Sequence, residues 1–221
     1  DFVAQGEGQR VFRRMQTSIA AMEDLIDQLL SVANMDAGTV VPKPVRLPIQ
    51  YLFNTLHASH EALARAKGLK LRFSPTRAVV YADPILMSRL LSNLVTNAIR
   101  YTERGTVLVG CRRRGEHLGG EGRISAILDD TSKGQAAPVF DNTSKARAAP
   151  VFAWRIDVVD TGCGIAEAHF DRIFEEFVQL SNPERDRSKG LGLGLAIVKR
   201  IAGLMRCEVS VASKLGRGSR F

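Results

Sequence analysis

Between Phe12 and Ala33 the apolar residues Phe12, Met15, Ile19, Met22, Ile26, Leu29 and Ala33 recur with gaps that alternate between three and four. That spacing draws one stripe down an α-helix and suits packing of helix on helix. Arg13, Arg14, Gln16, Glu23, Asp24, Asp27 and Gln28 occupy the opposite face, so the helix is amphipathic rather than buried all round. Gly38 ends it. A solitary helix cannot bury such a stripe, which predicts a bundle or a dimer.

Pro42, Pro44 and Pro48 then mark an extended linker, because proline disfavours helix at the residue before it. The domain boundary falls here, giving a helical unit over 1–40 and a larger one over 41–221. Within the larger unit the pattern predicts helices over 48–66, 84–100 and 191–205. Strands are expected over 69–73, 78–81, 105–113, 152–160, 209–211 and 219–221, with a short helix ending near Phe177. Residues 131–140 and 143–152 are near repeats, TSKGQAAPVF and TSKARAAPVF, inside an insert at about 116–152. Two copies are too few for a solenoid, and they read as a lengthened loop or hairpin.

At 221 residues, 45% hydrophobic and 24% charged, the chain has room for one domain of common size plus a helical appendage. No run approaches the roughly 20 apolar residues of a spanning helix, and the N-terminus lacks a signal-peptide core. The expectation is a cytoplasmic segment whose parent can be anchored in a membrane. The net charge of +8 is dispersed, its densest run being Arg112, Arg113 and Arg114, so a nucleic-acid partner is not expected. Cys111, Cys163 and Cys207 have no metal-ligand spacing and read as reduced thiols, core or site-lining rather than reactive.

Four elements carry chemistry. On the helix begun by Pro84, Asn93, Asn97 and Arg100 share one face. Amides there suit a hard cation held through oxygen. After a strand comes Asp160-Thr-Gly162-Cys-Gly164-Ile165, where an acid at a strand end can accept from an exocyclic amine and glycines let backbone approach a flat ring. The third element, Phe170 to Phe177, has the spacing of a short amphipathic helix. The fourth, Gly190-Leu191-Gly192-Leu193-Gly194-Leu195, runs into a helix whose exposed amides favour an anion. Its spacing is that of neither a Rossmann fingerprint nor a P-loop.

In this order the four elements resemble the N, G1, F and G2 boxes of sensor histidine kinases, within the gyrase and histidine-kinase ATPase superfamily. The likeness runs over about 47–221, and Gly216 to Phe221 resembles the family's last strand. Residues 12–38 resemble the second helix of a dimerisation and histidine-phosphotransfer domain. The resemblance implies a Bergerat-type α/β fold: a two-layer sandwich of a mixed, mostly antiparallel sheet with helices on one face.

It further implies ATP and magnesium as cofactors. Asn97 would ligate the metal, Asn93 would support it or its waters, and Arg100 would reach the phosphates; these three are the expected catalytic residues. Tyr101 would lie against adenine or ribose. Asp160 would accept from the adenine amine, with Gly162, Gly164 and Ile165 around it. Gly190, Gly192 and Gly194 would donate amides to the phosphates, and Phe177, Lys189, Leu191, Leu193, Leu195 and Ser219 complete the implied pocket. Residues 178–189 would form a mobile lid. The implied reaction transfers the γ-phosphoryl group to a protein histidine. The implied partners are a response regulator or receiver domain, a histidine-bearing helix of the parent or another protein, and a second copy through 10–36.

Related ATPases of the gyrase and chaperone type carry a water-activating glutamate where this chain has Asn93, and an amide cannot take a proton at neutral pH. The family's acceptor is a His followed by an acid and then a Pro. Of His57, His60, His117 and His169 only His60-Glu61 comes near, without the proline, and it reads as a surface or packing residue. The start at Asp1-Phe2-Val3 favours truncation before the acceptor helix over its loss. The chain is expected to bind Mg-ATP without phosphorylating itself; the alternative is a degenerate nucleotide-binding or dimerisation module that regulates another kinase.

Overall fold

The computed structural model describes Phe12, Met15, Ile19, Met22 and Ile26, then residues 28–113, 126–127, 153–180 and 191–221. The chain divides into two compact units, Asp1–Val40 and Val41–Phe221.

In the first unit the five separate positions and residues 28–36 are helical, and these helical positions are labelled α1. Gly38 closes it with φ of 65°, in the left-handed region that glycine enters without a Cβ penalty. The amides of Gly38 and Thr39 then reach back to the carbonyls of Met35 and Asn34 at 3.1 and 3.2 Å. The stripe that the spacing predicts is present and open: Phe12, Met15, Ile19, Met22, Ile26 and Leu29 are all exposed, Phe12 to 61%.

The second unit begins with β1 (Val45–Pro48), followed by α2 (Ile49–Ala66), β2 (Lys70–Phe73) and β3 (Val79–Ala82). Then come α3 (Pro84–Tyr101), β4 (Thr106–Arg113), β5 (Ala126–Ile127) and β6 (Ala153–Asp160). Two 3-10 turns, Glu167–His169 and Arg172–Phe174, lead to α4 (Gly194–Leu204), β7 (Ala212–Lys214) and β8 (Gly218–Arg220). The main sheet runs β2-β4-β6-β8-β7, with β5 added on β6. Only β2 lies parallel to its neighbour, so the sheet is mixed and mostly antiparallel. A separate ribbon pairs β1 with β3, Arg46 opposite Tyr81.

The sheet's inner face is set by alternation along its two longest strands. Val107, Val109, Ile156 and Val158 are buried beneath the helices, whereas Leu108, between two of them, is 39% exposed. Above them α3 buries Leu90, Leu91, Leu94, Val95 and Ile99, and α4 buries Ile197 and Ile201. Each such side chain contributes about 1.5–3 kcal/mol by leaving water. The result is the two-layer α/β sandwich implied by the resemblance. On the other face Arg112 and Arg155 both pair with Asp157, at 3.1 and 2.5 Å. Arg113 lies over the Trp154 ring at 5.6 Å, so two members of the basic run have partners rather than only water.

Four expectations need correction or placement. The proline-rich linker is extended, but its end is a paired strand, β1. The short helix before Phe177 is two 3-10 turns, and Phe177 itself takes φ of 61°, which no helix continues. The strand expected at 209–211 lies at Ala212–Lys214. The repeats at 131–140 and 143–152 lie wholly outside the described residues, as does His117.

Candidate functional site

Helix α3 is the site's foundation, and three neighbours fix it. At its start Asp83 accepts from the amides of Ile85 and Leu86 at 2.9 and 3.0 Å, and from Lys43 at 2.8 Å. Burial pushes the Asp83 carboxyl up, but these three amides outweigh it and hold the group below the usual carboxylate range. In its middle, His60 of α2 bonds the Leu56 carbonyl through Nδ1 at 2.8 Å. Its Nε2 lies 3.1 Å from the Ser92 hydroxyl and 3.3 Å from that of Thr96. At the end of α3, Lys67 Nζ donates to the carbonyls of Ile99 and Arg100 at 2.8 and 2.5 Å, where helix dipole and open carbonyls both favour a cation. His60 is therefore a buried packing histidine, 8% exposed. His57 packs edge-on against Phe73.

Held this way, α3 presents Asn93 and Asn97 one turn apart. Asn93 spends its Nδ2 on the Arg89 carbonyl at 2.8 Å, which leaves its oxygen as the outward acceptor. Both amides converge on the start of α4. A Cβ placed on Gly194 would stand 3.3 Å from Asn93 Oδ1 and 3.3 Å from Asn97 Nδ2. Among the described residues no side chain caps the start of α4, where a helix leaves its first amides without an intrahelical acceptor. Gly192 makes the approach with φ of +79°; a Cβ there would stand 2.8 Å from the Val178 carbonyl. Leu193 is fully buried, so only its backbone is available to a ligand.

Beside this junction lies a cavity lined by Asn97, Ala98, Tyr101, Asp160, Cys163, Gly164, Ile165, Ile173, Val178, Gln179, Leu180, Leu195, Ser219 and Phe221. Its walls are mostly apolar, with Asp160 as the buried acid. Asp160 Oδ1 accepts from the amides of both Gly162, at 2.8 Å, and Ser219, at 3.3 Å. Burial raises the carboxyl above its ordinary value, although the two amides pull the other way. Gly162 packs against the Tyr101 carbonyl, and Cys163 donates its amide to the same oxygen at 3.3 Å, so the turn after β6 is seated on the end of α3.

Seven of the expected residues thus meet around one cavity: Asn97, Tyr101, Asp160, Gly164, Ile165, Leu195 and Ser219. Asn93 adjoins them through Gly194. Arg100 and Phe177 do not line the cavity, and Phe177 is 59% exposed. Leu191 is half-buried, while Lys189 and Gly190 lie outside the described residues, with most of the expected lid. Sequence reading missed the apolar members Ala98, Ile173 and Phe221; they come from core-like positions with no local mark. Cys163 is exposed and site-lining, whereas burial pushes the thiols of Cys111 and Cys207 up to about 12 and about 11.

The donor set fits a magnesium-bound polyphosphate. Among the described residues no cluster of His, Cys, Asp or Glu could hold a metal, so the acceptors on offer are amide oxygens. Such a site leaves the remaining positions of an octahedral ion to phosphate and water.

Residues 82–221, more than half of the chain, match the model of the histidine kinase-, DNA gyrase B- and HSP90-like ATPases. The sensor histidine kinase CusS of Escherichia coli is 28% identical over 204 residues, 92% of this chain and 35% of that protein. The virulence sensor protein BvgS of Bordetella bronchiseptica is 31% identical over 91% of this chain and 14% of its own length. The chain thus spans about a third or less of these relatives. Among solved structures, full-length ShkA in complex with AMPPNP superposes with a TM-score of 0.64 at 26% identity, covering 90% of this chain and 34% of ShkA. The Acinetobacter baumannii histidine kinase AdeS shares the fold, with a TM-score of 0.66 at 16% identity, over 95% of this chain and 80% of that one.

Proposed function

Because this chain belongs to the histidine kinase-, DNA gyrase B- and HSP90-like ATPase family, we propose that it is the catalytic core of a sensor histidine kinase that holds Mg-ATP for phosphoryl transfer to a histidine outside this chain. One observation carries the reading: Asn93 and Asn97 meet the uncapped start of α4 beside a cavity that holds Asp160.

In this reading Asp160 accepts from the exocyclic amine of adenine, and Tyr101 and Ile165 flank the base. The first amides of α4 receive phosphate oxygens, aided by the helix dipole. Asn97 would hold magnesium through its oxygen, Asn93 would support the metal or its waters, and Arg100 would reach toward the phosphates. The metal, when bound, neutralises charge shared between phosphates. The residues contribute positioning and fixed dipoles, which do most of the work in phosphoryl transfer. No carboxylate stands at Asn93 to activate water, so the phosphoryl group is kept for an imidazole nitrogen, with ADP as the leaving group.

Residues 1–40 are read as part of the dimerisation and phosphotransfer domain, with a second copy against the α1 stripe and a response regulator as the downstream partner. Calorimetric titration of the chain with ADP, with and without magnesium, tests the core of this. Binding is expected only to be strong with the metal, and Asn97→Asp is expected to weaken it by at least about tenfold by setting a fixed charge beside the phosphates. No heat from the unaltered chain, or unchanged binding in the variant, would overturn the reading.

A further inference from the structure

Ser213 lies on the edge strand β7 and does not itself line the cavity, yet three of its hydrogen bonds converge on segments that do. The Ile165 amide donates to Ser213 Oγ at 2.8 Å. The Ser213 hydroxyl reaches the Gly218 carbonyl at 2.8 Å and the Ser219 hydroxyl at 3.0 Å. Ile165 belongs to the turn after β6, 48 residues away, and Gly218 and Ser219 to β8. Ser219 in turn donates its amide to Asp160 Oδ1 at 3.3 Å. One side chain therefore joins the two segments that flank Asp160.

A hydroxyl is suited to this place because it can accept and donate at once. The Ile165 amide needs an acceptor, while the Gly218 carbonyl needs a donor. Alanine supplies neither, and threonine supplies both.

We propose that Ser213 is the positioning residue for the base end of the nucleotide cavity, fixing where Asp160 and Ser219 meet the ring and so setting preference for a 6-amino purine. This rests on the reading of Asp160 given above. The phosphate end, built on α3 and α4, makes no contact with Ser213 in the hydrogen bonds described, so the effect is confined to base recognition.

The test compares ADP with IDP, which carries a 6-oxo group in place of the amine, each titrated with magnesium into the unaltered chain, Ser213→Ala and Ser213→Thr. Ser213→Ala is expected to bind ADP about tenfold more weakly, the loss of roughly one hydrogen bond's discrimination, and IDP within about twofold. The Ile165 amide should exchange with solvent faster in the same variant, and Ser213→Thr should restore both readouts. An ADP-to-IDP ratio that stays the same in Ser213→Ala, even if both affinities fall, overturns the proposal. Should that variant not fold, Ser213→Thr decides: a folded threonine variant that keeps the preference supports the proposal, and one that has lost it overturns it. If the unaltered chain binds neither nucleotide, the proposed function itself fails and this inference with it; binding with preference but no Ser213 effect removes this inference alone.

Discussion

Buried between the turn after β6 and strand β8, the Asp160 carboxyl is raised above its ordinary value by desolvation, despite two amide donors that pull it down. A raised folded-state value means that the group's contribution to stability is largest below the ordinary carboxylate value and is lost as pH rises through the raised one. Asp160→Asn removes that pH-dependent loss and keeps an oxygen for the Gly162 amide. Thermal denaturation should show the variant no less stable than the parent at neutral pH, with any advantage shrinking as pH falls into the carboxylate range. ADP binding should nevertheless weaken by about tenfold or more, because an amide presents the adenine amine with a weaker, differently directed partner. A lower melting temperature with intact binding would show Asp160 to be structural.

At the scale of elements, α3 is read correctly from sequence because its signals are local: Asp83 before Pro84, then an apolar stripe shared with an amide face. Asp83→Ala is expected to cost about 1–2 kcal/mol, the range of a lost N-cap. Because its folded value is lowered, the Asp83 contribution is present above the ordinary carboxylate value and fades as pH falls through the lowered one, so acid unfolding curves of parent and variant should converge. Other features have no local signal. β1 reads as linker because Pro42 and Pro44 precede it and Pro48 ends it, and only β3, more than thirty residues on, turns extended chain into ribbon. The short helix before Phe177 is divided by the turn at Phe170 and Asp171. Ser213 is one serine among small residues; nothing in Val-Ala-Ser-Lys marks it until folding sets it beside Ile165. Motif residues with a helical or glycine signature are legible, whereas residues that act by long-range contact are not.

For the whole molecule, the exposed apolar stripe of α1, Phe12 to Leu29, is the largest unfinished business of the first unit. A second copy is the proposed cover, so light scattering at micromolar concentration should give about twice 24.2 kDa. Ile19→Glu should return the chain to one copy while leaving ADP binding within about twofold, because burying an unpaired charge in a helix seam is strongly unfavourable. A monodisperse single copy of the unaltered chain would count against that cover. The second unit has a different character, for α3 is splinted along its length: Asp83 grips the incoming strand segment at one end, Lys67 clasps the carbonyls at the other, and His60 braces the middle. If, as proposed, the two amides receive a cation, a helix held at both ends and its middle presents them already assembled, so the entropy of bringing them together is lost during folding and does not weaken capture.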